Sequence, residues 1–288
     1  MTFCVHTPGA VDAEVREVQD WVQHVLPDSG RGLRVLEVGC GPGILAARLL
    51  EEQVLVTAID VSEEQVRLAR ERGVPAIVSD FLSFEGGAFD ALVFTRSLHH
   101  ISPLAAGISK IRELIKPGGL ILADEFAHDE IDAVTAAWFW DLQAVLEECG
   151  ALAPDARGQH GHHGAHRSPP AAPSPDPLQR WRERHLHQPP LHGAAMLITA
   201  LDAAFQLQLP ERGPYLHRYF SERVDDSDAG SRLFLRLREL ERLRLRQGLL
   251  VPVGLRVVAA ASAPPRRRAA HRAPRRGRRQ KTLKRRRS

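Results

Sequence analysis

Short apolar runs and helical stripes alternate along the first half of the chain. The apolar runs recur at 34–38, 54–60, 75–80, 89–95 and 119–126. Between them, apolar residues return every three or four positions, as in "ILAARLLEE" from Ile44, which is typical of amphipathic helices. Continuous apolar strands that alternate with helices indicate a parallel sheet covered on both faces. The pattern therefore predicts a doubly wound α/β domain.

Capping and stop residues set the ends of the predicted helices. A helical stripe covers 11–26, and "PDSGRG" ends it. Ser62 is the predicted N-cap of a helix that Gly73 terminates, and a later helix begins at Ser102 and stops at "PGG". These signals assign residues 1–150 to one βαβ core that includes the N-terminal helix.

The regular alternation breaks after Cys149. Residues 151–177 are rich in Pro, Ala, Gly and His without periodicity, which predicts a flexible insertion or surface loop. Over 178–262, "AAFQLQL" and "VGLRVVAAA" are the predicted sixth and seventh strands, and an Arg-rich amphipathic helix between them ends at Gly248. This segment completes the first domain, whereas residues 263–288 form a basic tail that is predicted to be disordered.

A turn with three glycines in five residues follows the first strand. In "RVLEVGCGPG", the strand is followed by Gly39, Gly41 and Gly43. Glu37 stands two residues before the first glycine. Glycine is used where the backbone needs a positive φ or where another group approaches it closely. Asp60 ends the next strand, about twenty residues downstream, where nucleotide-binding βαβ units place an acid on ribose hydroxyls. The spacing predicts a site for an adenosine-containing ligand.

Two classes of nucleotide ligand fit such a turn, and the glycine spacing separates them. A dinucleotide fold uses G-x-G-x-x-G to seat a pyrophosphate on the helix N-terminus. Here the spacing is G-x-G-x-G, and Glu37 would repel a pyrophosphate but suits an ammonium or sulfonium. The segment that contains these residues, "EVGCGPG", resembles the first motif of the class I S-adenosylmethionine-dependent methyltransferases, in particular their small-molecule members of types 11 and 25.

The resemblance extends over residues 10–150 and implies a fold, a cofactor and a set of site residues. "SDFLSF" resembles the family's adenine-contacting segment, "TRSLHHI" its sulfonium-side segment, and "LIKPGGLILADEF" its helix, turn and fifth strand. The implied fold is a Rossmann-like sheet of seven mostly parallel strands, with helices on both faces and an antiparallel last strand. The implied cofactor is S-adenosylmethionine, bound by Glu37, Gly39, Cys40, Gly41, Gly43, Asp60, Val61, Asp80, Phe81, Thr95 and Arg96.

Two histidines after the fourth strand are the candidate catalytic residues. Methyl transfer from a sulfonium is an in-line displacement that depends mostly on alignment, and a base is needed only if the acceptor must lose a proton. His99 and His100 lie at the predicted carboxyl edge of the sheet, and imidazole titrates near neutral pH. Asp124, Glu125 and His128 are further candidates at that edge. The alternative is that the two histidines only shape the pocket.

The second half of the chain is expected to cover a small-molecule acceptor. Residues 178–200 include Trp181, His185, His187 and Met196, a mixture of aromatic, imidazole and apolar groups that suits a small organic O or N acceptor. "TRSL" stands where amide-methylating enzymes carry Asn-Pro-Pro-Tyr, which argues against nucleobase or glutamine methylation. A non-catalytic cofactor-binding module and a protein or RNA methyltransferase are the alternatives.

Composition narrows the function classes further. The 288 residues are 43% hydrophobic and 26% charged, as in globular proteins. The sequence shows neither an apolar run long enough for a membrane span nor a secretory signal. Three widely spaced cysteines, and histidines at 160–166 without an acidic or cysteine partner, predict neither a disulfide framework nor a metal site. A soluble, cytoplasmic enzyme is expected.

The C-terminal tail adds a second class of partner. Thirteen Lys or Arg and no acid lie between Arg266 and Ser288, so the formal net charge of +4 leaves −9 for the rest of the chain. An acidic body argues against a nucleic-acid footprint on the catalytic domain. Contact with nucleic acid or another polyanion is therefore expected only through the tail. A basic run of this kind is also typical of nuclear-localisation segments. The alternative is that the tail has no function.

Overall fold

The computed structural model describes residues 9–154 and 174–262. In these residues, eight strands form one mixed sheet in the order β3-β2-β1-β4-β5-β8-β6, with β7 also paired to β8. The strands are β1 (Arg34–Val38), β2 (Leu55–Asp60), β3 (Ala76–Val78), β4 (Phe89–Thr95), β5 (Ile115–Phe126), β6 (Gln206–Leu207), β7 (Glu211–Gly213) and β8 (Gly254–Ala260). The first five strands are parallel to one another.

Eight α-helices surround this sheet in the described part of the chain. They are α1 (Gly9–Val25), α2 (Ile44–Glu51), α3 (Glu63–Glu71), α4 (Leu104–Leu114), α5 (Ala133–Glu148), α6 (Pro177–Arg184), α7 (Ala194–Asp202) and α8 (Asp228–Arg246). Side-chain caps begin several of them. Ser62 accepts a hydrogen bond from the Gln65 N–H, and Asp132 accepts one from the Thr135 N–H.

The predicted fold class is confirmed, with one correction in the number of strands. β6 and β7 both run antiparallel to β8, Gln206 opposite Ala260 and Gly213 opposite Gly254. β6 lies within the predicted sixth strand, "AAFQLQL", whereas β7 was not predicted and continues the same edge along β8. Pro210 lies between them, and it lacks the N–H group that a continuous ladder requires. β8 is also antiparallel to β5, as expected for the last strand.

Two apolar cores cover the two faces of the sheet. Along β1, Val35 belongs to the core formed with α1, α2 and α3, whereas Leu36 belongs to the core formed with α4 and α7. Successive strand residues point to opposite faces, so this assignment follows directly from the alternation. A third, aromatic core lies beyond the end of β5 and includes Phe126, Phe139 and Trp181. It joins α5, α6 and α8 into a helical layer at the carboxyl edge.

A buried carboxylate fixes the segment that connects β7 to α8. Glu241 of α8 is 1% exposed and accepts hydrogen bonds from the N–H groups of Tyr215, Leu216 and His217 at 2.7, 2.9 and 3.0 Å. The His217 Nδ1 atom lies 2.8 Å from the same carboxylate. Burial alone would raise the pKa of Glu241, but the hydrogen bonds from His217 and the backbone outweigh it and hold the pKa below its usual value.

We expect Glu241→Gln to lower the free energy of unfolding by about 1–3 kcal/mol, because buried N–H donors lose a charged acceptor. A carboxyl whose pKa is lowered by folding stabilises the fold above its unfolded pKa, and this contribution is lost as the pH falls. The difference between wild type and variant should therefore shrink from pH 7 towards pH 3. Denaturant unfolding at several pH values measures it.

The matched control for this variant is Glu239→Gln on the same helix. The Glu239 side chain is 50% exposed and pairs with Arg242 at 3.0 Å. Exposed pairs of this kind contribute about 0–1 kcal/mol. Equal losses in the two variants would show that the buried hydrogen bonds contribute nothing specific.

Candidate active site

The parallel register brings the candidate residues to one edge of the sheet. Val38, the last residue of β1, lies opposite Ile59 of β2 and Phe94 of β4. Thr95 at the end of β4 lies opposite Asp124 of β5. The glycine turn, the end of β2 and the loops after β4 and β5 therefore share the carboxyl edge, where ligands of doubly wound sheets bind.

The three glycines of the turn have different reasons to be glycine. All three have positive φ, at 71°, 53° and 73° for Gly39, Gly41 and Gly43. A Cβ atom at Gly39 would lie 2.6 Å from the Ser97 Cβ, and one at Gly43 would lie 2.6 Å from the Ala69 Cβ. A Cβ at Gly41 would meet no described atom nearer than 3.9 Å. Packing within the fold thus requires the first and third glycine, whereas the middle one borders open space that a ligand can fill.

Asp60 joins the turn to the end of β2. Its Oδ2 atom accepts a hydrogen bond from the Gly41 N–H at 2.8 Å, and its Oδ1 atom accepts one from the Ser62 N–H at 2.9 Å. The side chain is half-buried, and each carboxylate oxygen has a second lone pair. Val61, which follows, is 69% exposed and stands at the rim of the same edge.

Glu37 is a buried acid with one unsatisfied oxygen. It is 2% exposed, it accepts a hydrogen bond from the Ala46 N–H, and its Oε2 atom has no partner among the described residues. Burial raises the pKa of Glu37 to about 8, and the negative charge of Asp60 acts in the same direction. A nearby ammonium or sulfonium would supply the missing partner, so the residue fits a cationic ligand. Burial also raises the pKa of the neighbouring Cys40 thiol, which favours its protonated form.

The two residues predicted to contact adenine point in different directions. Asp80 is exposed, and its Oδ1 atom accepts a hydrogen bond from the Leu82 N–H at 2.8 Å. Phe81 is 4% exposed, and its ring packs edge-on against Phe94 with centroids 5.5 Å apart. The Phe81 ring therefore belongs to the core beneath the edge.

Thr95 and Arg96 form the exit from β4. The Thr95 Oγ1 atom is buried and has no partner among the described residues. Arg96 has a left-handed backbone, with φ of 55°, and its N–H donates to the Asp124 carbonyl at 2.9 Å. Its guanidinium pairs with Glu14 of α1 at 3.0 Å, and the charge of Glu14 raises the pKa of Arg96. The Arg96 side chain thus anchors the N-terminal helix over this end of the sheet.

His99 pairs with a buried carboxylate, and His100 lies beside it. His99 is 2% exposed, and its Nδ1 atom is hydrogen-bonded to Glu125 Oε2. The Glu125 Oε1 atom accepts from the Ser97 and Leu98 N–H groups at 3.1 and 2.7 Å. His100 is exposed, with its ring centroid 4.3 Å from that of His99. The pairing of His99 with Glu125 was not predicted; both residues were candidates, but only the parallel register makes them neighbours.

Asp124 is engaged in a buried ionic cluster. It is 2% exposed and pairs with Arg218 and, at 2.9 Å, with Arg256. Burial would raise the pKa of Asp124, but the two guanidinium groups outweigh it and lower the pKa. Asp124 therefore serves the fold by joining β5 to β8 and to the segment after β7.

A cleft of about 260 Å³ opens beside this edge under the helical layer, and it is lined by His128, Asp129, Ile131, Leu178, Arg182, His185 and Leu186. Burial lowers the pKa of His185 to about 3, and burial likewise lowers the pKa of His128. Both imidazoles are therefore neutral at physiological pH. The rings of His128, His185 and His99 all contact Phe126, with centroids 5.7, 5.6 and 5.2 Å away.

The remaining predictions concern metal binding, membrane insertion and two segments of the chain. Among the described residues, no group of three or more His, Cys, Asp or Glu side chains is arranged to hold a metal ion. No helix in that part of the chain is both long enough and apolar enough to cross a membrane. The histidines at 160–166 and the basic tail lie outside the described residues.

Comparison with known proteins identifies the family. A profile described as "Methyltransferase domain" matches residues 11–163. An uncharacterised methyltransferase of Mycobacterium bovis is 32% identical over 142 residues, which cover 47% of this chain and 69% of that protein. A ubiquinone biosynthesis O-methyltransferase of Xylella fastidiosa is 34% identical over 109 residues, which cover 35% of this chain and 44% of that protein.

A solved structure also resembles the chain. It is an S-adenosylmethionine-dependent methyltransferase from Mesorhizobium loti, with a TM-score of 0.48 and 18% identity over 85% of this chain and 99% of that chain. The family match covers β1 to β5 and the glycine turn, whose unsatisfied acid and open middle glycine fit a cationic adenosine ligand. The chain therefore belongs to the methyltransferase domain family, and it is an enzyme that transfers a methyl group from S-adenosylmethionine.

Proposed function

We propose that this enzyme methylates an oxygen or nitrogen atom of a small molecule that binds beside His99. The observation that carries the proposal is the buried pair of His99 and Glu125, whose imidazole contacts Phe126, the ring that also contacts His128 and His185 of the cleft wall. Ser97, two residues before His99, donates its hydroxyl to the Val38 carbonyl at 2.6 Å and packs on Gly39. The segment that carries the candidate base therefore packs directly on the cofactor turn.

In this proposal, residues at the ends of β1 and β2 and in the loop after β3 would hold the cofactor. Asp60 and Val61 would bind the ribose, Glu37 would pair with the methionine ammonium, and Gly41 leaves room for the ligand. Asp80 binds the adenine amino group. The Phe81 ring supports the Asp80 turn from the core instead of stacking on adenine, since it is 4% exposed.

The cofactor turn is shaped by the backbone of Gly39, Cys40 and Gly43. On the side of β4, it is bordered by Thr95 and Arg96. The two orphaned oxygens, Glu37 Oε2 and Thr95 Oγ1, support a polar ligand between these strands. A buried polar atom without a partner costs about 1–3 kcal/mol, so a bound ligand that satisfies it gains affinity.

S-adenosylmethionine supplies a methyl group activated by a sulfonium, and the residues of this chain align the acceptor and move its proton. His99 takes the proton of the acceptor, and His100, which is exposed, contacts the acceptor on its solvent side. The cleft offers Ile131, Leu178 and Leu186 for an apolar skeleton. Two neutral imidazoles and one charge of each sign, from Asp129 and Arg182, complete the wall, which favours a small acceptor with both apolar and polar parts. The name of the Xylella fastidiosa relative, an O-methyltransferase, agrees with an oxygen acceptor.

The acceptor class is tested by incubating the enzyme with methyl-labelled S-adenosylmethionine and a cell extract, followed by separation into small molecules, protein and nucleic acid. We expect the label in small molecules, and we expect His99→Ala to reduce the transfer rate by about 10²–10⁴-fold while cofactor binding stays intact. Label in protein or RNA would contradict the acceptor class.

Asp60→Ala should weaken S-adenosylmethionine binding by about 1–3 kcal/mol, because it removes charged acceptors for the ribose and for the Gly41 N–H. Titration calorimetry measures the loss. Asp90→Ala is the matched control, because Asp90 is a paired aspartate near the start of β4, bonded to Lys116 at 2.8 Å and remote from the carboxyl edge. Equal losses of affinity in both variants would refute a ribose contact at Asp60.

Cofactor binding should release a proton from Glu37. With a pKa of about 8, the free carboxyl is mostly protonated at pH 7, and a bound cation favours its ionised form. Affinity for S-adenosylmethionine should therefore rise about tenfold from pH 6 to pH 7. Calorimetry in buffers of different ionisation enthalpy measures the released proton.

Two controls isolate this effect. Glu37→Gln should abolish the proton release, and adenosine, which lacks the cationic groups, should bind to wild type without it. Proton release that persists in Glu37→Gln would assign the linkage to another group.

A further inference from the structure

We propose that Arg182 is a specificity-determining residue that binds a carboxylate of the acceptor, so that the substrate is a small organic acid methylated elsewhere in its structure. This inference rests on the proposed function, because it names the class of acceptor that the cleft takes. Three features of the cleft carry it: the position and partners of Arg182, the bonds that already engage other polar groups, and the apolar character of the rest of the wall.

Helix α6 turns one face towards the cleft. Leu178 and Arg182 are four residues apart on this helix, and His185 follows three residues later as its C-cap, so the three side chains share a face. The helix is held against the loop after β5, because Trp181 is fully buried and its Nε1–H donates to the His128 carbonyl at 2.9 Å. Packing of α6 therefore sets the position of Arg182 in the cleft wall.

Arg182 differs from the other arginines of this helix in its partners. The Arg180 guanidinium lies over the Trp140 ring at 3.8 Å, and the Arg184 guanidinium lies over the Tyr219 ring at 5.1 Å. No ion pair or hydrogen bond joins the Arg182 guanidinium to a residue in the described part of the chain. Its planar fork of donors matches the two oxygens of a carboxylate. A ligand anion can therefore bind there without displacing an internal partner.

Two other polar groups of the cleft are already bonded. The His185 Nδ1 atom lies 2.8 Å from the Trp181 carbonyl, and its Nε2 atom lies 2.7 Å from the Tyr219 hydroxyl. Because a carbonyl only accepts, Nδ1 donates and Nε2 accepts the Tyr219 proton. The Asp129 carboxylate accepts from the Ala194 N–H at 3.1 Å, at the start of α7. The acid of the cleft thus serves a helix N-terminus, whereas its base is available to a ligand.

The rest of the wall suits a flat, apolar skeleton. Ile131, Leu178 and Leu186 supply aliphatic surface. The rings of His128 and His185 stack with centroids 5.9 Å apart and planes inclined by 19°. The cleft volume of about 260 Å³ is just below the roughly 300–1,000 Å³ that is usual for drug-sized ligands. The cleft therefore fits a skeleton of about one ring with one charged anchor.

Charge balance favours a carboxylate over a phosphate as that anchor. One guanidinium matches the single negative charge of a carboxylate, whereas a phosphate would bring further negative charge close to Asp129. A carboxylate paired with Arg182 has both oxygens engaged in hydrogen bonds. The methyl group is therefore transferred to another oxygen or nitrogen of the acceptor, and the product keeps its negative charge.

Ligand binding tests this site separately from the transfer reaction. The probes are benzoate, its uncharged analogue benzamide, and phenyl phosphate as the alternative anion. Saturation-transfer difference spectra of the full chain should show that benzoate binds more tightly than the other two. Arg182→Met should weaken benzoate binding about tenfold and leave benzamide binding unchanged, and Arg182→Lys should restore part of the affinity. The matched control is Arg180→Met, which removes a cation from the same helix but not from the cleft.

Methyl transfer connects the site to the acceptor. Benzoate should inhibit the labelling of extract small molecules by wild type while affinity for S-adenosylmethionine stays unchanged. The labelled product should bind to an anion exchanger. In Arg182→Met, the amount of extract acceptor fraction that gives half the maximal rate should rise about tenfold with the maximal rate little changed, since binding and not the transfer step is affected.

The outcomes separate this inference from the proposed function. Benzoate binding that survives Arg182→Met, an equal loss of benzoate and benzamide, or an equal effect of Arg180→Met overturns the inference. Tighter binding of phenyl phosphate than of benzoate also overturns it. An uncharged labelled product overturns it as well and leaves small-molecule methylation standing. If wild type binds S-adenosylmethionine but labels no small molecule, the proposed function fails and this inference fails with it.

Discussion

Where the chain leaves the carboxyl edge of the parallel sheet, its backbone N–H groups need acceptors. This requirement determines where the acidic side chains of the site lie. The strands end together, so their exit loops have no ladder partners there. Acidic side chains supply the acceptors: Glu37 for the start of α2, Asp60 for the glycine turn, and Glu125 for the segment after β4. Asp80 does the same for its own loop. The groups that close the fold at this edge are therefore the groups that give it negative charge.

That concentration of acids has an electrostatic consequence for the ligand. Burial raises the pKa of Glu37 to about 8, and the neighbouring charge of Asp60 adds to this effect. The Glu37 carboxyl is therefore mostly protonated at neutral pH. S-adenosylmethionine carries two positive centres, a sulfonium and an ammonium, and either one would favour the ionised form of Glu37, whereas a pyrophosphate would oppose it.

The sequence predicts what depends on local pattern, and it misses what depends on contacts between distant segments. The bounds of β1 and β4 match the predicted apolar runs, and the glycine turn lies between strand and helix as predicted. No local signal indicates that the Arg96 guanidinium pairs with Glu14, or that Glu125 lies against His99. The ring of Phe81 was assigned to the ligand from its motif position, yet side-chain direction after a strand depends on packing that the motif does not encode.

The chain between β7 and β8 forms one long excursion from the edge of the sheet. Residues 214–253, which contain α8 and part of the aromatic third core, enter and leave the sheet at adjacent positions, because Gly213 lies opposite Gly254. An excursion with neighbouring ends can lengthen, shorten or be replaced without disturbing strand order. The family profile ends at residue 163, before this excursion. Residues 214–253 do not line the cleft, but Tyr215 and Tyr219 pack against Phe126 behind it, so changes in this segment would reach a bound acceptor only through the aromatic core.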